Sequence, residues 1–395
     1  MRLRLVAAAC FTLLPATAAL ADVITDWNDR ACQLTASLGP GAPGHRVMAI
    51  IQVATYDAVS SITGQGKPYL AVVDAPKGAS VEAAVAAANR KTLVELVPAE
   101  KDKIEAAYQA ALDKIPAGAA RDQGVAVGEK AATMLLERGA ADGANTPEEY
   151  VPYTTPGKYV PTMIPAVPQW PMRKTWVLDR ADQFRPGPPP ELTSDTWKRD
   201  YEEIVQVGGK VSQKRTPEQT DMAKFWEETR PMVYHPVLKS VATMPGRTVP
   251  QNARLYAAAT MAVDDALVAV FDAKYHYQFW RPVTAIRNGG GNDALKADKR
   301  WSPFISTPMH PEYPCAHCVS SGAIGAVIRA DVGNQPVALS STLGNTTRKW
   351  KDVDAFMQEV ADARIYDGVH YRNSTVVGNE LGQKVGELAA KRLGM

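Results

Sequence analysis

The 395-residue chain carries 44 Lys and Arg against 42 Asp and Glu, a formal net charge of +2. A chain so balanced lacks the broad basic surface that nucleic acid or an anionic membrane requires. With 46% hydrophobic residues it can bury a large core, and four cysteines are too few for a disulfide scaffold.

The N-terminus has the pattern of a secretory signal. Arg2 and Arg4 form a basic start, and Leu5 to Leu14 is an apolar run. That run is about half the roughly 20 residues needed to span a bilayer. Ala19-Leu20-Ala21 fits an A-x-A cleavage site. Residues 1–21 are therefore read as a signal peptide, with the mature chain starting at Asp22 and located in the periplasm or outside the cell. Cys10 leaves with the signal, so Cys32, Cys315 and Cys318 remain. An odd count in an oxidising compartment implies at most one internal bridge plus a free thiol, or an intermolecular bond.

Residues 22–395 read as one helical domain. After the turn Gly39-Pro40-Gly41-Ala42-Pro43-Gly44, the pattern predicts a helix over Ile50 to Val59. Val81 to Leu96, Lys101 to Ile115 and Arg121 to Arg138 follow as helices, punctuated by Pro98 and Pro116. Residues 150–190 are rich in proline and predict extended backbone. Tyr150, Tyr153, Tyr159, Trp170 and Trp176 argue against a free linker, so the segment is expected to lie on the helical body. Further helices are predicted over Ser194 to Val207, Thr216 to Thr229, Asn252 to Asp272, Ser320 to Ala330 and Asn373 to Leu393. The expectation is an all-α helical bundle with a site inside residues 271–374.

Three short segments there carry the chemistry. Lys274 and Arg281 are seven residues apart, two turns on a continuous helix, with Phe271 and Gln278 on the same face and Pro282 to end or kink it. His310-Pro311-Glu312-Tyr313-Pro314-Cys315-Ala316-His317 reads as a stiff loop entering a helix, with His317 in the first turn. A helix N-terminus favours anions. Arg364 and His370 flank Gly368, which permits a turn between them, and Asn373 or Ser374 is expected to cap the last helix. Three cations and two imidazoles suit a tetrahedral oxyanion: Lys and Arg bind its oxygens, one histidine bonds the central atom and the other moves protons. No carboxylate is assigned to the set. Cys315-Ala316-His317-Cys318 lacks the βαβ context of a thioredoxin site, the histidine placement of a haem site and the ligand count of a zinc site. A disulfide involving Cys318, local or long-range, remains open.

Lys274-x6-Arg281-Pro282, Pro314-x2-His317 and Arg364-x5-His370 resemble the signature of the vanadium haloperoxidase and type 2 phosphatidic acid phosphatase superfamily. The flanks Asp265 to Arg287, Ala223-Lys224-Phe225-Trp226 and Ala54-Thr55-Tyr56-Asp57-Ala58 resemble its bacterial haloperoxidase-like branch. The resemblance implies that Lys274, Arg281 and Arg364, with Cys315 and Ala316, bind the anion's oxygens. His370 would bond vanadium or attack phosphorus, and His317 would be the acid/base. His310 stands where the family varies a histidine with an aromatic, and with Phe271 it would border a halide. Vanadate would be the cofactor, with phosphate as its isostere. The implied activity is halide oxidation by hydrogen peroxide. Phosphate-ester hydrolysis through a phosphohistidine is the alternative, and non-catalytic oxyanion binding a second one. The partners are small molecules, with no nucleic acid and no integral membrane segment, and a homodimer is open. Four positions depart from the pattern: Cys315 and Ala316 replace Ser and Gly, Ala363 precedes Arg364, and Ser374 stands where phosphatases place an Asp that orients the histidine. Cys315 is expected beside the anion as a free thiol, with Cys318 facing away and available to Cys32.

Overall fold

The computed structural model describes residues 22–152, 155–333 and 335–395. The signal-peptide reading of residues 1–21 and the anchor Tyr153 lie outside them. Among the described residues the chain runs through α1 (Val23–Leu34), α2 (Ala42–Thr63), α3 (Val81–Leu96), α4 (Lys101–Leu112) and α5 (Ala119–Ala140). It continues through α6 (Asp195–Val207), α7 (Pro217–Phe225), α8 (Pro231–Ala242), α9 (Val249–Tyr277) and α10 (Pro282–Arg287). It closes with α11 (Ala316–Val332), the hairpin β1 (Leu339–Leu343) and β2 (Thr346–Trp350), α12 (Val353–Tyr366) and α13 (Arg372–Arg392). The architecture is all-α, as expected.

Local signals set many boundaries. Ser80 and Ser194 accept from the N3 amides of α3 and α6, and Thr216–Gln219 and Thr248–Gln251 form capping boxes. Each satisfies amides that a helix start otherwise leaves open. The 29-residue α9 is the axis of the molecule and packs against α2, α11 and α13. Its neighbours α11 and α13 lie unusually close. A Cβ at Gly382 would come within 2.1 Å of Val319 O, so only glycine permits that approach.

The Pro-rich segment lies on the body. Trp170, Trp176 and Tyr159 are buried. Two adjacent carboxylates of α9 pin it: Asp264 pairs with Arg173 at 2.7 Å, and Asp265 accepts from the amides of Trp176, Val177 and Leu178 at 2.7–3.0 Å. Further along the segment, Ala166 N donates to Met309 O at 2.7 Å. This fastens it beside the loop that enters α11.

Candidate oxyanion site

Two of the expected site residues reach their places by a different route. The helix that carries Lys274 ends at Tyr277, and Gln278 turns left-handed with φ 53°. Arg281 is the N-cap of α10, so it shares no helical face with Lys274 or Gln278. The chain between them runs extended against the Pro-rich segment, with Trp280 N bonded to Gly157 O. Both cations nevertheless grip one loop. Lys274 Nζ donates to Pro311 O and Glu312 O, each at 2.8 Å, and Arg281 Nε donates to His310 O at 2.9 Å. Arg281 Nη1 also donates to Val369 O at 2.7 Å and lies 3.3 Å from His370 Nε2.

That imidazole borders a cleft of about 80 Å³, together with His310, Ala316, His317, Arg364 and Phe271. His317 is the second residue of α11, and its Nε2 lies 3.3 Å from Glu228 O. The edge of His310 meets Phe271 with ring centroids 5.3 Å apart. Arg364 sits in the last turn of α12. Its Nη1 donates to Trp226 O at 2.6 Å and to Asp367, while its buried Nε has no partner among the described residues. Gly368, at φ 79°, turns the chain from α12 toward His370. A Cβ there would lie 2.1 Å from Gly208 O.

Cys315 is not at the cleft. It is disulfide-bonded to Cys318, and the pair packs against Ala361 of α12 and Gly378 of α13. The expected partner Cys32 is a buried free thiol. The reason is helical geometry: N-cap and N3 positions are one turn apart, and here their Cα atoms are 5.3 Å apart, within disulfide range. Cys315 Sγ also accepts from Cys318 N at 3.1 Å, so it serves as the cap of α11. The last helix is capped differently from expectation too. Tyr371 is its N-cap without a side-chain bond, and Ser374 lies inside the helix with Oγ 3.5 Å from His370 Nδ1.

Carboxylates do belong to the set. Glu312, fully buried, places Oε1 2.8 Å from His370 Nδ1, and the Tyr371 amide donates to the same oxygen at 3.1 Å. Asp367 neutralises Arg364 from one side. His45 also borders the cleft, with Nε2 2.9 Å from Thr229 O. The stretch 226–229 thus holds Arg364, His317 and His45 through the carbonyls of Trp226, Glu228 and Thr229. A charged residue in a loop of Pro, Tyr and Cys was the available signal for Glu312, and the Arg364/Asp367 spacing at the end of a helix was that for Asp367.

Burial and mutual repulsion shape the electrostatics. Burial, then Arg281 and Arg364, hold Lys274 well below the ordinary lysine range, with Glu312 pulling the other way. Burial lowers Arg281 to about 10. His310, His317 and His370 are pushed well below the ordinary histidine range, by burial first and then by the nearby cations. Burial raises Glu312 to about 7 against the pull of Lys274 and Arg281. An anion would relieve this crowding, because it stabilises every cation around it. The orphaned Arg364 Nε and the neutral His370 fit a tetrahedral oxyanion such as vanadate or phosphate.

Residues 254–394 match the family described as the VCPO second helical-bundle domain. The vanadium chloroperoxidase of Curvularia inaequalis is 25% identical over 183 residues, 38% of this chain and 30% of that relative's length. The crystal structure of a bacterial vanadium-dependent iodoperoxidase superposes with a TM-score of 0.82 at 24% identity, covering 94% of this chain and 96% of that one. The holo form of a bacterial vanadium-dependent chloroperoxidase gives a TM-score of 0.73 at 17% identity, covering 96% and 94%. The chain therefore has the helical fold of the bacterial vanadium haloperoxidases, and its last third matches the VCPO bundle domain in sequence.

Proposed function

We propose that this protein is a vanadium-dependent haloperoxidase of the periplasm or extracellular space, catalysing X⁻ + H₂O₂ + H⁺ → HOX + H₂O. The observation that carries this reading is the His370 imidazole at a small cleft that Arg364 also borders, with Arg281 Nη1 3.3 Å from its Nε2 and the buried Lys274 gripping the same loop as Arg281. Bound vanadate would supply an electrophilic centre that activates peroxide for two-electron oxidation of the halide. The three cations would bind its oxygens, and His370 Nε2 would bond the metal. The open amides of the first turn of α11, at Ala316 and His317, would add dipolar attraction in place of the missing hydroxyl donor. His317, with its Nε2 toward Glu228 O, would take the proton from incoming peroxide and return it to the leaving water. His310 and Phe271 would border the halide. The local Cys315–Cys318 bridge supports an oxidising compartment.

The test is peroxide-dependent halogenation of a dye with iodide, bromide and chloride, with and without added orthovanadate, beside a phosphate-monoester assay. Vanadate-dependent halogenation inhibited by phosphate is expected. Ester hydrolysis without vanadate, and no oxidation of any halide, would replace this reading with a phosphatase.

A further inference from the structure

We infer that Glu312 is a positioning residue that fixes the tautomer and orientation of His370, leaving Nε2 as the electron-pair donor facing the anion. This rests on the oxyanion reading of the cleft for its purpose, but not for its geometry. Glu312 is joined to its surroundings at four points. Its amide donates to Phe279 O at 2.9 Å, and its carbonyl accepts from Lys274 Nζ at 2.8 Å. Its Oε1 lies 2.8 Å from His370 Nδ1 and accepts the Tyr371 amide at 3.1 Å. One residue therefore sets the spacing between the cation at the end of α9 and the imidazole before α13.

The hydrogen-bond pattern assigns the proton. Oε1 already accepts an amide, so it acts as the acceptor oxygen of the carboxyl group, and the ring proton lies on Nδ1. A carboxyl proton would go to Oε2, which has no partner among the described residues. With Nδ1 protonated, Nε2 keeps its lone pair, 3.3 Å from Arg281 Nη1. A histidine whose far nitrogen donates to a carboxylate is a more basic and better-oriented donor. Ser374, the position at which the sequence pattern places an orienting group, is 3.5 Å from Nδ1. That is the limit of a hydrogen bond. The orienting carboxylate thus comes from the loop before α11 rather than from the last helix.

The experiment uses the full chain with ¹⁵N-histidine labelling, practical because the sequence has six histidines. The His370 signals are assigned by their loss in His370→Ala. Without vanadate, wild type should show the Nδ1-protonated tautomer. Glu312→Leu, which removes the acceptor, should show a mixed or Nε2-protonated ring. Glu312→Gln keeps an acceptor oxygen and removes the charge. It should keep the tautomer while weakening orthovanadate binding, measured by equilibrium dialysis, by about 10–100-fold. Ser374→Ala, which leaves the Glu312–His370 contact in place, should keep the tautomer. An Nε2-protonated His370 in wild type overturns the inference. So does a folded Glu312→Leu whose tautomer or vanadate affinity matches wild type. If wild type takes up no vanadate, the proposed function fails, and the tautomer of wild type still decides the role of Glu312 without any Glu312 variant having to fold.

Discussion

Removing Cys318 distinguishes the observed bridge from the long-range one by magnitude. The chain-entropy cost of a cross-link grows with the loop it closes. The Cys315–Cys318 bridge has a sequence separation of 3, and a loop so short is worth about 2 kcal/mol. A Cys32–Cys318 bridge would close most of the chain and be worth about 6 kcal/mol. Losing a fully buried sulfur adds about 1 kcal/mol of packing. Cys318→Ala should therefore lower the unfolding free energy by about 3 kcal/mol in urea melts with an unchanged slope. Cys32→Ala should cost about 1 kcal/mol, because it removes only packing. Peptide mapping provides an independent readout, since Cys315 and Cys318 share the tryptic fragment Trp301 to Arg329. Without reduction it should carry no alkyl label and be lighter by two hydrogens, while Cys32 should label once the chain is unfolded. Equal losses of about 6 kcal/mol or more in both variants, with Cys315 labelled, would refute the local bridge.

The remaining predictions address the site and its supports. His370→Ala should abolish vanadate retention, whereas His317→Ala should retain it and slow turnover by about 10²–10⁴-fold; equal binding losses in dialysis would contradict the separate roles. Gly368→Ala should destabilise the protein by about 1–3 kcal/mol or more, because φ is 79° and the new Cβ would meet Gly208 O; a melt within error of wild type would argue against the turn described. His235, buried beside Asn28, is held at about 3 by burial and then by His45. Its folded pKa is depressed, so the unfolded chain takes up a proton first as pH falls. Its contribution is full above the ordinary histidine pKa and is lost on acidification. Relative to His235→Gln, wild type should lose about 1.4 kcal/mol per pH unit below about pH 6.5, and parallel stability–pH curves would refute this.

The sequence was most legible where one local rule acts alone. Val81–Leu96 begins and ends as expected because Ser80 caps it and Val97-Pro98 stops it. In the Pro-rich segment the aromatic residues Tyr159, Trp170 and Trp176 are buried, so the segment forms a strap. What pins the strap is a pair of carboxylates about ninety residues later, which no local pattern connects to it. Helix α8 was missed because Pro236 lies inside it and Pro231 at its start, both of which read as breakers. Helix α12 was read only at its end, where Arg364 closes one helix before the next, although its body carries the pattern too. Val353, Phe356, Met357, Val360 and Ala361 repeat at helical spacing and are buried.

Lys274 and Arg281 come to one loop by a route other than the expected one. A two-turn helical spacing was expected to align Lys274 with Arg281, yet Gln278 breaks the helix between them. They converge because each reaches the same backbone loop, at His310, Pro311 and Glu312. Charge counting failed in the complementary way. A site read as purely cationic would leave Lys274, Arg281 and Arg364 buried together with nothing opposing them whenever no anion is bound. Burying an uncompensated charge costs several kcal/mol. Glu312 and Asp367 supply the compensation from within the fold: each is set beside the cation or imidazole it serves, and the cations draw down a carboxyl pKa that burial pushes up to about 7. The fold thus opposes its buried cations with carboxylates of its own, which a reading of cations and imidazoles alone leaves out.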